Sequence, residues 1–441
     1  LMVSLVWLIV TSIGVTVIVI SLPHHVDDKM SYDEIRYLAG AESLRETGHY
    51  RSPSGSTSLH WPPGTSLIYA TAARMAGSSP ASVEWTVNLV SYLALACSVL
   101  GLLRGVSVHP LVMVTVFPCV LLNGFIVSIY NKIWSEPPFL AVYCLLLITT
   151  LAALRASGIR LAALLIASAF LLSASVSIRY VALSEGLVLA AMAACLRRRM
   201  WNDPTTIGLM CTAAVVPLIA VWRWAGIEDV ESAPRTFAIY THPFVVLDNM
   251  RAGCLQLIEQ MLPGRILGRR IVAAAGSLLL AAPAVVTLSL ERDLRSECGS
   301  TTETGQTQTT SSHLVRANMV LVTSCVVYLV SVAGVQLFLD PTTPFDLRIL
   351  SPFYIMWVMA LAVTATLLSS AEQSLRGRNA GAARACAGVL VLVLAVTAFR
   401  ATRFALSRLR SPAVHEVSMH EDQLTGEIRI VVERYGDGRR L

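Results

Sequence analysis

The sequence predicts an all-α integral membrane protein, a polytopic helical bundle of about eleven transmembrane helices with interfacial helices in its first outer loop. Three observations predict it. Of 441 residues, 55% are hydrophobic and only 14% charged, with a mean hydropathy of +0.64; a soluble domain carries roughly 25% charged residues. The apolar residues gather in runs long enough to cross a bilayer, which takes roughly 20 residues of helix. The arginines fall in short clusters between those runs, as determinants of membrane orientation do.

The candidate spans are Leu1–Leu22, Val83–Arg104, Leu111–Tyr130, Trp134–Leu154, Leu161–Val176, Tyr180–Leu196, Thr206–Trp224, Ile271–Leu290, Ala317–Leu339, Leu350–Leu368 and Ala385–Phe399. The first has no charged region ahead of it and no small-residue cleavage site before Asp27, so it reads as a span and not as a signal peptide. Only Ser177, Ile178 and Arg179 separate the fifth from the sixth, so either both are short or one is re-entrant.

With the loop after the first span placed outside, Arg104, Arg155 and Arg160, Arg197 to Arg199, Arg292, Arg295 and Arg316, and Arg376, Arg378 and Arg384 all fall inside. That is the positive-inside distribution of a protein of the cytoplasmic membrane, its polar loops extracytoplasmic. Arg400, Arg403, Arg408 and Arg410 are the exception: either the span count is off by one near the end, or this basic stretch lies along the outer headgroups. The formal net charge of +6 is spread in this way and does not mark a nucleic-acid partner.

The chain divides into one membrane domain over residues 1–400 and a short tail over 401–441. Within the first lie an extracytoplasmic loop at 23–82, a second large outer loop at 226–270, a short outer segment at 340–348 and a cytoplasmic linker at 291–316. The linker is rich in Ser, Thr and Gln, as solvated connectors are. In the tail, Glu427–Arg434 alternates before Gly436-Asp437-Gly438, which permits at most a small β hairpin. No internal repeat and no glycine-rich phosphate loop is found. Seven of nine cysteines lie in apolar segments and behave as small hydrophobes; there is no CxxC spacing to make a metal–thiolate site. Cys254 and Cys298 are expected on opposite sides of the membrane and unpaired.

The first outer loop holds the chemistry. Asp27, Asp28, Asp33 and Glu34 sit within a few residues of a membrane exit, followed by Arg36, Tyr37, His49, His60 and Trp61, and ionisable groups this close to a bilayer point to function. Ser31 or Asp33 caps a helix that runs to about Thr47 and ends at Gly48. Helical spacing puts Asp33 and Tyr37 on one face and Glu34 on another. Leu38, Ala41, Leu44 and Arg45 let this helix lie flat at the interface. Pro62 and Pro63 open a second helix, stopped after Met75 by Gly77-Ser78-Ser79-Pro80. The two helices form a lid over an outward-facing cavity.

An ordered set of residues now carries a family resemblance. It runs Asp33, Glu34, Tyr37, Ala41, Gly48, Tyr50 and Trp61-Pro62-Pro63-Gly64. Ser135-Glu136-Pro137, Ile178-Arg179-Tyr180, His242-Pro243, Leu262-Pro263 and Arg348-Ile349-Leu350-Ser351-Pro352 follow. This order resembles the polytopic GT-C membrane glycosyltransferases, in the branch with protein O-mannosyltransferases and the lipid A aminoarabinose transferase. The likeness extends to about Pro352. The family's soluble C-terminal domain has no counterpart beyond the short tail, which leaves the substrate open.

The resemblance implies an inverting glycosyltransferase. It would move a monosaccharide from a polyprenyl-phosphate-linked donor to an extracytoplasmic acceptor, whether a lipid, a glycan or a protein hydroxyl. Such a reaction needs one carboxylate to take the acceptor's proton, and Asp33 matches that position. The departing phosphate needs cationic stabilisation, which Arg179 and Arg348 would supply from the outer ends of spans through the guanidinium fork. Glu34, Tyr37, His60, Trp61, Glu136, Tyr180 and His242 are the further donor- and acceptor-binding candidates. No cofactor is required; the alternative is a divalent cation on Asp28, Asp33 and Glu34, although hard-cation sites converge more oxygens than these.

Each residue also has a plainer role open to it. Asp33 is a competent N-cap, and Asp27 and Asp28 suit an exposed loop. Arg179 and Arg348 can snorkel to headgroups, Trp61 is at home at a membrane interface, and Glu136 can pair with Lys132 instead of Arg179. The rival class is a polytopic transporter or lipid-linked sugar flippase. Against it stand the absence of repeated halves and the gathering of polar residues in loops on one face.

Overall fold

The computed structural model describes residues 1–21, 32–51, 62–77, 79–195, 204–224, 242–262, 269–297, 305–338, 345–374 and 378–410, and among them every regular element is a helix. Asp28, His60, Trp61, Cys298 and the hairpin expected at 427–438 lie outside the described residues.

Among the described residues eight helices are long and apolar enough to cross a membrane. They are α1 (Met2–Ser21), α4 (Pro80–Val106), α7 (Glu136–Ala153), α8 (Gly158–Ile178), α12 (Arg269–Glu297), α13 (Gly305–Phe338), α14 (Ser351–Ser374) and α15 (Arg378–Arg410). The chain is thus an integral, multi-pass membrane protein. The other three expected spans correspond to shorter apolar helices: α5 (Pro110–Leu121), α9 (Leu183–Cys195) and, within α10 (Pro204–Trp224), residues 207–220.

The third expected span is broken because Asn123 interrupts it. Its Oδ1 accepts from the Phe125 backbone N–H at 3.1 Å and starts a new helix, α6 (Gly124–Ile129), while its Nδ2 donates to the Tyr354 hydroxyl at 2.9 Å. A side chain that caps its own backbone in this way competes with helix continuation. The tight fifth and sixth spans resolve unequally. Helix α8 keeps full length, Arg179 follows in extended backbone, and a 3-10 turn over Tyr180–Ala182 leads into the short α9.

The two helices expected in the first outer loop are α2 (Tyr32–Thr47) and α3 (Pro63–Ala76). Their orientation differs from that of interfacial helices lying flat. Leu38, Ala41 and Leu44 turn inward, forming a small second core with Tyr37, Tyr50, Tyr69, Val83, Val87 and Ile133. Packing against α3 and the start of α4 buries these side chains, and burial in protein wins over contact with headgroups.

The segment expected as the second outer loop contains α11 (Pro243–Met261). It gives one arginine of the basic exception near the chain's end a partner: Arg400, in α15, donates to the carbonyls of Glu259 and Gln260 at 2.9 and 3.2 Å. A guanidinium on the last carbonyls of a helix satisfies otherwise orphaned acceptors and meets the negative end of the helix dipole. Helix α15 continues to Arg410, so the first ten residues assigned to the tail are helical, and α12 and α13 reach into both sides of the linker.

One end of the bundle thereby collects the N-termini of α2, α7 and α14 and the C-terminus of α8. The C-termini of α4 and α7 lie at the other end, beside the start of the apolar part of α13.

Candidate active site

The loop that leads into α7 is suspended from three helices. The Tyr69 hydroxyl of α3 donates to the Trp134 carbonyl at 3.1 Å, and Asn88 Nδ2 of α4 donates to the Lys132 carbonyl at 3.1 Å. Glu34 of α2 is fully buried and accepts the Ile133 backbone N–H at 3.2 Å. Each bond satisfies a loop backbone group that helix geometry leaves unpaired. The loop delivers Trp134, Ser135 and Glu136 to a fixed position.

Arg179 is placed by an equally close contact. Gly64 in the first turn of α3 lies against the backbone of Ser177: a Cβ built there would meet the Ser177 carbonyl oxygen at 2.4 Å and its carbon at 2.6 Å. Beside it Thr65 Oγ1 donates to the Ile178 carbonyl at 3.3 Å. The Pro-Pro-Gly sequence is therefore a seat for the end of α8, and it fixes the residue that follows.

Four charged side chains meet between these two fixed points. Arg348 Nη1 donates to Asp33 Oδ2 at 2.8 Å, and its Nε lies 3.4 Å from Glu136 Oε1. Arg179 Nη1 donates to the same Glu136 oxygen and lies 3.4 Å from Ser135 Oγ, which in turn donates to Glu136 Oε2 at 3.3 Å. The Arg348 guanidinium sits over the Trp134 ring, 4.9 Å from its centroid, and Arg179 lies 5.8 Å from that of Phe139. Glu136 is the enclosed member, its side chain 3% exposed; Arg179 is 16%, Arg348 23% and Asp33 28% exposed. The cluster carries two positive and two negative charges, and Asp33 is its most accessible charge.

The electrostatics keep both arginines cationic. Burial alone would lower the pKa of Arg179, but the Glu136 carboxylate more than offsets it and the net shift is upward. For Arg348 burial again acts downward, and Glu136 and Asp33 together reverse it. Tyr37 is buried behind the cluster with Ser135 in hydrogen-bonding reach. Burial, then the charges of Asp33 and Glu136, push its hydroxyl well above the usual phenol range, so it stays protonated.

Of the residues singled out from the sequence, Asp33, Tyr37, Glu136, Arg179 and Arg348 come together. Glu136 pairs with the arginines, and Lys132 makes no ion pair with it. Glu34 turns away from Asp33, as helical spacing predicts, and anchors the loop. Tyr180 neighbours Tyr50, in the 3-10 turn after Arg179. His242 stands apart: it caps α11, its Nδ1 accepting from the Phe244 N–H at 3.4 Å, with its ring stacked on Phe244. Among the described residues no group of three or more His, Cys, Asp or Glu side chains converges to hold a metal ion. Of the metal set, Asp33 faces Arg348 and Glu34 faces Ile133, while Asp28 is outside the described residues.

Sequence reading did not single out Trp134 or Asp346, and it named Ser135 only within the run Ser135-Glu136-Pro137. Asp346 Oδ1 accepts the Ile349 N–H at 2.8 Å, and its Oδ2 lies 4.0 Å from Arg348 Nε. The one available signal was the spacing of Asp346 from Arg348, an acid and a base two residues apart ahead of a span.

No family model matches this chain, and no curated protein matches it in sequence. Solved structures do. The crystal structure of ArnT from Cupriavidus metallidurans bound to undecaprenyl phosphate superposes with a TM-score of 0.57 and 12% identity, over 97% of this chain and 84% of that one. The apo form of the same ArnT aligns over 84% and 80% with a TM-score of 0.43 and 14% identity. At such identity the likeness is one of fold: this polytopic, all-helical membrane protein shares the fold of the ArnT bound to undecaprenyl phosphate.

Proposed function

We propose that the protein is an inverting glycosyltransferase that uses a polyprenyl-phosphate-linked sugar and works at the extracytoplasmic face of the cytoplasmic membrane. The observation that carries this reading is the meeting of Asp33 with Arg348 and, through Glu136, with Arg179, at the mouth of a GT-C bundle. The ArnT of like fold binds undecaprenyl phosphate, which supports a donor of that class. A carrier would be expected to set its charged groups near the bilayer midplane; here they stand at helix ends.

In this mechanism Asp33 takes the proton from the acceptor hydroxyl as its oxygen attacks the anomeric carbon. The bond from that carbon to the phosphate oxygen breaks, its electron pair leaves with the polyprenyl phosphate, and configuration inverts. The phosphate gains a negative charge in the step, and Arg179 and Arg348 stabilise it in a partly water-excluded site. Glu136 keeps the two guanidiniums side by side, where their like charges would otherwise drive them apart. Arg348 holds Asp33 until the donor arrives; the phosphate then draws Arg348 toward itself and frees the base. Tyr37, Glu34 and Tyr180 shape the surrounding wall. His60, Trp61 and His242 are further donor- or acceptor-binding candidates in this reading, and a divalent cation on Asp28, Asp33 and Glu34 is its metal-dependent variant.

The test is lipid and glycan profiling of a deletion strain complemented with wild type or with Asp33→Asn. The wild type should restore a missing sugar on an envelope component, and Asp33→Asn should not while inserting normally. Full complementation by Asp33→Asn overturns the mechanism.

A further inference from the structure

The opposite end of the bundle carries a second cluster with an unmet requirement. Arg155, in the turn after α7, extends Nη2 to Ser107 Oγ at 3.3 Å and to His313 Nδ1 at 2.8 Å. A guanidinium only donates, so His313 Nδ1 must accept, and the ring proton lies on Nε2. That Nε2–H is shut off from solvent and has no acceptor among the described residues, and a buried donor without a partner is costly. Arg316, one turn along α13, adds its charge to the same ring. Among the described residues neither Arg155 nor Arg316 forms an ion pair with a carboxylate. Ser107 holds a left-handed backbone conformation, φ 64°, the sole non-glycine residue with positive φ among the described residues, and this turns its hydroxyl to Arg155.

Arg155, the Ser107 hydroxyl and, one turn beyond His313, Arg316 thus surround the His313 ring with positive charge, and among the described residues no carboxylate pairs with either arginine. The cluster is level with the ends of α4 and α7 and the start of the apolar part of α13, the depth of lipid headgroups. Ile159, the second residue of α8 and four beyond Arg155, is 89% exposed, which suits an acyl chain better than water.

We propose that this cluster binds the phosphodiester headgroup of an anionic membrane lipid. Arg155 and Arg316, both exposed, take the phosphate oxygens through charge-assisted bonds, while His313 Nδ1 holds Arg155 in place. The lipid wedges α4, α7 and α13 together at the end remote from Asp33. This inference stands without the transferase reading, because it uses none of the same residues.

The full-length protein, purified in detergent, would be titrated with phosphatidylglycerol, with phosphatidylcholine of the same acyl chains, and with inorganic phosphate. Native mass spectrometry counts bound lipid and thermal denaturation reads stabilisation. One phosphatidylglycerol should be retained in preference to phosphatidylcholine. Arg155→Gln and Arg316→Gln should each weaken that preference by about fivefold, the worth of one basic side chain near an anionic surface; exposed Arg160→Gln should leave it unchanged. Equal retention of the two lipids by the wild type overturns the proposal, and so does a preference undiminished in both variants. Stabilisation by inorganic phosphate without a lipid preference would mark a soluble anion site and overturn the lipid assignment. The wild-type lipid comparison keeps the test decisive if a variant fails to fold.

Discussion

Arg348 Nη1 and Asp33 Oδ2 lie 2.8 Å apart, although 315 residues separate them in the chain. The pair joins the first outer loop to the segment ahead of α14 across the mouth of the bundle, and it ties the proposed base to a proposed phosphate ligand. Removing either side chain should therefore remove more than one function. Arg348→Gln is expected to lower turnover by roughly 10²–10³-fold, the scale of losing one preorganised charge stabiliser. Asp33→Asn should abolish it. Because the two act as a unit, the double variant should be no worse than Asp33→Asn alone. Turnover measured with a polyprenyl-phosphate sugar in all three variants decides it, and additive losses would separate the two roles.

Glu136 should be a stability residue as much as a functional one. It is the shared partner of Arg179 and Arg348 and is almost wholly enclosed. Glu136→Gln leaves Arg179 without its carboxylate and Arg348 with Asp33 as its remaining close one. Breaking a buried pair in this way costs roughly 3–5 kcal/mol, so the variant should lose many degrees of thermal stability in detergent. Glu136→Asp keeps the charge and should recover part of that loss. Equal melting of wild type and Glu136→Gln would mean the arginines find another anion.

Much of this site was legible in the sequence, and the limits have physical causes. Helical spacing put Asp33 with Tyr37 and turned Glu34 away, and the buried loop anchor at Ile133 bears that out. The hydropathy runs located the spans, but a run cannot reveal that Asn123 will cap its own backbone and divide one of them. Leu38, Ala41 and Leu44 read as lipid-facing because an apolar stripe does not say what covers it; here it is α3 and the start of α4. The partner of Glu136 was open between Lys132 and Arg179. Nearness in sequence favoured the first, while the seat that Gly64 makes for the end of α8 brings the second.

That seat yields a third prediction. Gly64→Ala would press a methyl group onto the Ser177 carbonyl, backbone against which no side chain can rotate away. Overpacking of this kind costs roughly 1–3 kcal/mol and would push α3 off the end of α8, shifting Arg179 from Glu136. Activity should fall further than the melting temperature implies, since displacement of a positioned group by about 1 Å can cost roughly 10²-fold. A Gly64→Ala protein with normal turnover would remove the Pro-Pro-Gly seat from the account.

Lys132 supplies a prediction about pH. It is half-buried in the loop ahead of Glu136 with no acidic partner, and burial pushes its pKa down from 10.5 to about 8. The folded state therefore disfavours the ammonium, and between about pH 8 and 10.5 the unfolded chain binds more protons than the folded one. Stability from this group should rise as pH climbs through that window, with its penalty in full force below pH 8. Lys132→Met removes the group and, with it, the penalty. The gain in melting temperature over wild type should be largest near neutral pH and shrink toward pH 10. Thermal denaturation of both proteins across pH 7 to 10 checks this, and a difference independent of pH would show that Lys132 is not desolvated in the folded state.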